Sequence, residues 1–119
     1  MKKIISTTFL LGMLLSAGTF SAQKLTQEKM KAIYSDDVAT FKKQFIQGDY
    51  NKCFVLGANS YSPLGFSVLS GKNNIVNFLL DNKANINKKC QNRSPLEIAE
   101  STKRDETAKL LIERGAKRD

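Results

Sequence analysis

The sequence predicts an all-α solenoid: about three helix–turn–helix units stacked side by side, each joined to the next through a short β-hairpin-like finger. Three observations point there. The stretch "SPLGFSVLSGKNNIVNFLLDNKANIN" at 62–87 and the stretch "SPLEIAESTKRDETAKLLIERGAK" from 94 are two copies of one pattern, 32 residues apart with no gap. Ser62 maps to Ser94, Pro63 to Pro95, Leu64 to Leu96, Leu79 to Leu111, Asp81 to Glu113 and Ala84 to Ala116. A fixed period of about 20 to 50 residues marks stacked repeats, because one such unit cannot bury its apolar face alone. Finally, 119 residues leave room for one small domain only.

The chain opens on "MKKIISTTFLLGMLLSAGTFSA". Lys2 and Lys3 give a basic start, Phe9 to Leu15 an apolar run, and Ser16 to Gly18 and Ser21 to Ala22 the small residues of a cleavage site. This layout predicts a secretory signal peptide over residues 1–22, with the mature domain over 23–119. Cleavage is placed after Ala22. Phe20 is bulkier than the third position back prefers, so cleavage after Gly18 stands as the alternative. The rival reading, a retained membrane anchor, must accept an apolar run well short of the roughly 20 residues that span a bilayer. Thr19 stands where a lipoprotein signal would have its cysteine, so no lipid anchor is expected. The predicted location is the periplasm or the medium.

Each regular copy reads as two helices around a tight turn. Ser94 caps a first helix, Pro95 fits its first turn, where a missing N–H is no loss, and Glu97 returns the capping bond. Ser62 and Pro63 open the earlier copy the same way. Gly71 permits the turn, and Ile75, Val76, Phe78, Leu79 and Leu80 then recur at helical spacing. In the last copy Ala108, Leu110, Leu111 and Ile112 take that role, behind Asp105 and Glu106 at the positive end of the helix.

These residues resemble the ankyrin repeat, of a small exported bacterial type, whose usual wording is T-P-L-H, a small-residue helix, G-H, then V-V-x-L-L-L-x-x-G-A-D-V-N. Ser62, Pro63, Leu64, Gly71, Ile75, Val76, Leu79, Leu80, Ala84, Ile86 and Asn87 fall where that pattern asks for them or for a near equivalent. Asn92 stands at a turn glycine of the family, and asparagine tolerates the left-handed conformation. The resemblance divides the domain into repeats of approximately 26–57, 58–89 and 90–119. In the first, less regular copy, residues 24–34 form the first helix, Asp36 and Asp37 the turn pair, and Val38, Phe41 and Phe45 the inner face. "CFVLGANSY" at 53–61 does not fit the pattern. Gly65 and Glu97 replace the histidines that brace the family's turns, and Lys83 replaces the glycine ending the second helix, which implies strain or a different cap.

Chemistry is largely excluded. The chain has no His and no Trp, so histidine-based nucleophilic triads and ordinary Cys/His zinc sites are ruled out, and no G-x-x-x-x-G-K occurs. Asp36 with Asp37 and Asp105 with Glu106 open helices, where acids serve as caps. No enzyme, cofactor or metal is expected. The formal charge is +8, and +6 once Lys2 and Lys3 leave with an acid-free leader. Such a balance favours acidic partners. Nucleic acid is not expected, since no recognised binding motif is present.

By the resemblance, fingers and first helices make a concave binding face. That places the candidate partner contacts at Ala58, Asn59, Tyr61, Leu69 and Ser70 in one repeat, and at Lys88, Gln91, Arg93, Ser101 and Thr102 in the next. Tyr61 is read as an exposed aromatic anchor, against the alternative of packing on the neighbouring finger. Lys83, Lys88, Lys89 and Arg93 are either a solvated turn or an electropositive rim. Cys53 and Cys90 follow the finger asparagines Asn51 and Asn87 and stand either as a bridge between stacked fingers or as two thiols. A bridge would contribute about 2–4 kcal/mol. The expected function is protein binding by a monomer in the cell envelope. A toxin-neutralising immunity protein and a basic protein held on anionic lipid are the alternatives.

Overall fold

The computed structural model describes residues 23–118. The expected signal peptide and its cleavage site lie outside them. Six α-helices and one small sheet follow in order: α1 Gln27–Tyr34, α2 Val38–Gln44, a 3-10 turn Gln47–Asp49, β1 Phe54–Leu56, β2 Asn59–Tyr61, α3 Pro63–Leu69, α4 Asn73–Asp81, α5 Pro95–Ser101 and α6 Asp105–Glu113. Helices pair within each unit, and units stack so that α1, α3 and α5 form an inner row. Helices α2 and α4 pack together in an outer row. Helix α6 joins it through Thr107 Oγ1, which donates to Asn73 Oδ1 at 2.8 Å, and through Arg114, whose Nη2 reaches Asp81 at 2.7 Å.

Local chemistry explains where the helices begin and end. Ser94 and Glu97 form a capping box: Glu97 N donates to Ser94 Oγ at 3.1 Å and Ser94 N to Glu97 Oε1 at 2.8 Å. Ser62 accepts from Gly65 N at 2.9 Å. Helix α4 has no side-chain cap of its own. Asp36 supplies one from the preceding unit, its Oδ1 accepting from Asn74 N at 3.1 Å and Ile75 N at 3.2 Å. Helices α3 and α5 both end in a Schellman motif, with Gly71 at φ 68° in one and Lys103 at φ 58° in the other. Helix α4 closes the same way on Lys83 at φ 71°, where Ala84 N donates to Leu79 O at 2.9 Å. Lysine therefore keeps the family's cap and bears the left-handed strain itself.

Two expectations are corrected here. The domain is not strictly all-α, because the stretch 53–61 that fits no helical pattern folds into an antiparallel hairpin with Phe54 opposite Tyr61 and Leu56 opposite Asn59. Gly57, at φ 61°, takes the first position of the two-residue turn and lets these β-formers pair. The first helix also begins later than residue 24. Thr26 caps it by accepting from Lys29 N, while Lys24 runs beside Val55 as a short parallel bridge. There Leu25 N donates to Val55 O and Val55 N to Gln23 O, both at 2.7 Å.

The core runs through all three units. Ile33, Phe41, Phe54, Leu64, Val68, Ile75, Val76, Leu79, Leu96, Ala99 and Leu111 are essentially inaccessible. Asparagines set the spacing of successive fingers: Asn51 Oδ1 accepts from Asn85 N at 2.7 Å, and Asn87 Oδ1 accepts from Lys117 N at 3.0 Å. A disulfide joins Cys53 to Cys90, whose Cα atoms lie 5.8 Å apart, and ties the irregular finger to the next.

Candidate partner-binding surface

The surface is built from two fingers and the ends of the inner helices. The first finger is the β1–β2 hairpin. The second is tighter, with Cys90 and Arg93 exchanging both backbone hydrogen bonds at 3.2 Å across Gln91 and Asn92. Both of those residues are left-handed, at φ 55° and 61°, as a two-residue type I′ turn requires. Gln91 joins the fingers. Its Oε1 accepts from Ser60 N and its Nε2 donates to Ala58 O, each at 2.8 Å. The side-chain amide thus stands in for a missing strand.

The expectation that Tyr61 is exposed is corrected. It is 6% accessible, with its ring 5.6 Å from that of Phe66 and the guanidinium of Arg93 5.2 Å above it. Residue 61 closes β2 opposite Phe54, which turns its ring into the core. Asn59 and Ala58 are exposed at the hairpin tip, Lys88 is half-buried, and Leu69 and Ser70 are half-buried at the end of α3. Ser101 and Thr102 are exposed at the end of α5, yet both hydroxyls donate to Ile98 O, at 3.1 and 2.7 Å. Their polarity serves the helix end first.

Two surface residues escape the sequence pattern. Asp36, Gly71 and Lys103 occupy equivalent left-handed turns. Counting back two from each gives Tyr34, Leu69 and Ser101, so Tyr34 belongs to the same row as two predicted contacts. It is 51% accessible and rests on Phe66 at 5.7 Å between ring centres. Arg104 is the other. Its Nε donates to Leu69 O at 3.3 Å, and it lies so close over Gly71 that a Cβ there would meet Nη1 at 2.8 Å.

The charge around the second finger is one-sided. From residue 82 to residue 96 there are four cations, Lys83, Lys88, Lys89 and Arg93, and no acid. The acids that follow are already engaged. Glu97 accepts the backbone N–H of Ser94, which, with Lys89 nearby, holds its carboxyl below the ordinary range. Glu100 pairs with Arg118. Among the described residues no group of three or more His, Cys, Asp or Glu is placed to hold a metal ion. No described helix is long and apolar enough to cross a membrane.

Stacked helix pairs with projecting fingers, a continuous core and a one-sided charged rim define a repeat scaffold built to present a surface. The family model for ankyrin repeats (three copies) matches residues 29–119, and the chain belongs to that family. Ankyrin repeats are in general non-enzymatic modules for protein–protein interaction. No curated protein matches the chain.

Proposed function

We propose that this chain is an exported, monomeric ankyrin protein that binds an acidic protein partner in the periplasm or medium through its fingers and inner-helix ends. The observations that carry the reading are the row of equivalent helix-end positions at which Tyr34 is exposed and Leu69 half-buried, and the run from 82 to 96 with its four cations and no acid. Charge of one sign speeds encounter with the opposite sign, and an exposed aromatic supplies contact area. The Cys53–Cys90 disulfide supports export, since such bonds persist in oxidising compartments.

Affinity capture from an envelope extract tests the reading. The wild-type protein is expected to retain an acidic partner that a Tyr34→Ala, Arg93→Ala double variant releases. Equal recovery by both forms would remove this surface from the binding role. Association with anionic vesicles that collapses with added salt, with no protein retained, would instead assign the charge to lipid. Cell fractionation tests export separately, by whether the chain leaves the cytoplasm with its leader removed.

A further inference from the structure

We infer that Gln23 is a modification site: once the leader is removed after Ala22, its carboxamide closes on its own α-amine to leave an N-terminal pyroglutamyl ring. The inference rests on the export reading above and adds to it the chemical form of the mature end.

Cleavage there makes residue 23 terminal, and the fold uses that residue. Gln23 O accepts from Val55 N and Leu25 N donates to Val55 O, both at 2.7 Å, so the segment lies along β1 as a short added strand. Leu25 is buried in the core, 4% accessible. Chain ends are where proteolysis and fraying concentrate. Here trimming by an aminopeptidase does damage from its first step. Loss of Gln23 takes the acceptor from the Val55 N–H, and loss of Leu25 takes a side chain from the core. Gln23 is itself exposed, and its carboxamide makes no hydrogen bond to another described residue. The side chain is free to turn back on the terminal nitrogen.

The step balances without a co-reactant. The neutral amine nitrogen attacks Cδ of the side-chain amide, and an N–Cδ bond forms. The Cδ–Nε2 bond breaks, one amine proton passes to Nε2, and ammonia leaves. Carrying both groups on one residue gives them an effective concentration far above that of separate molecules. The product keeps the Gln23 carbonyl that Val55 uses. It also loses the terminal charge and offers no free amine to an aminopeptidase.

The test uses the full chain, leader included, recovered from cells that export it. After reduction the intact mass is expected to equal residues 23–119 less one ammonia. Tandem mass spectrometry should place the loss on residue 23, and stepwise degradation from the amine end should be blocked. Gln23→Ser keeps the backbone carbonyl but leaves a free amine. Under aminopeptidase that variant should be shortened while the wild type stays whole. The shortened product should exchange its Val55 amide severalfold faster, with α5 and α6 unchanged.

An uncyclised Gln23 terminus, or a chain beginning at Thr19, would overturn the inference and leave export standing. Trimming of wild type and Gln23→Ser at the same rate would overturn it as well. An unprocessed chain held in the cytoplasm would overturn the export reading together with it.

Discussion

The first unit and the two that follow are held together by different physics. In the later units the same backbone devices recur 32 residues apart: a serine cap on a proline start, a left-handed Schellman turn, and an outer helix of nine residues. The first unit has an outer helix of seven residues, after which the chain turns away at Phe45. What replaces the missing turn is a knot of rings. Phe41 stacks on Phe45 at 4.6 Å and approaches Tyr50 and Phe78 at 5.9 Å, while Phe45 meets Phe54 edge-on at 5.6 Å. Lys29 crosses to the end of α2, donating to Gln44 O with its ammonium 4.6 Å over the Phe45 ring. The contrast teaches that a terminal repeat lacking the shared backbone pattern is secured by side chains and one covalent link.

Removing the centre of that knot should have the largest effect. Phe41→Ala removes a fully buried ring from the core and is expected to cost about 3–5 kcal/mol, read as a fall in the urea midpoint. A change below about 1 kcal/mol would show that the first unit does not share the cooperative core. Next comes Cys53→Ser with Cys90→Ser, expected to cost about 2–4 kcal/mol. Hydrogen exchange of the double variant should quicken first at Leu25, Val55 and Ser60, whose amides hold the first finger. Uniform quickening across α5 and α6 would contradict a local staple.

The regular units give the opposite sign. Lys83→Gly relieves a left-handed residue whose equivalent, Gly115, is already glycine, and should stabilise the chain by about 1 kcal/mol. A lower melting temperature would show that the lysine makes a contact worth more than its strain. The smallest effect is with pH. Hydrogen bonds from Thr40 hold the Asp37 carboxyl below its ordinary 3.8, and that from Ser94 N holds Glu97 below its ordinary 4.5. Both groups bind protons more weakly folded than unfolded, so the stability they supply is complete above those ordinary values. It falls away as the pH drops through the lowered folded values. Acid unfolding of Asp37→Asn and Glu97→Gln should be less steep than that of the wild type.

Legibility in the sequence follows the same division. Caps at Ser62 and Ser94 and the turn at Gly71 are local signals and were readable where they stand. A hairpin-like finger was expected from the resemblance, but the strand register at 54–61 was not readable, because strands of three residues are too short to show alternation and their partners at Gln23 and Gln91 lie far away in sequence. Tyr34 was hidden because the irregular first unit breaks the step of 32 on which the contact row was counted. Tyr61 was read as exposed for a related reason: its burial is set by the register that pairs it with Phe54, in a stretch that did not fit the repeat pattern.

The amide of Gln91 has one more consequence. Val55 is hydrogen-bonded to the segment 23–25 on one side of the hairpin, and Ala58 and Ser60 to Gln91 on the other. Among the described residues, both edges of the hairpin are thus engaged and less able to template a second molecule. At high concentration this engagement opposes fibre-like growth, and Gln91→Ala is the substitution that would free the β2 edge.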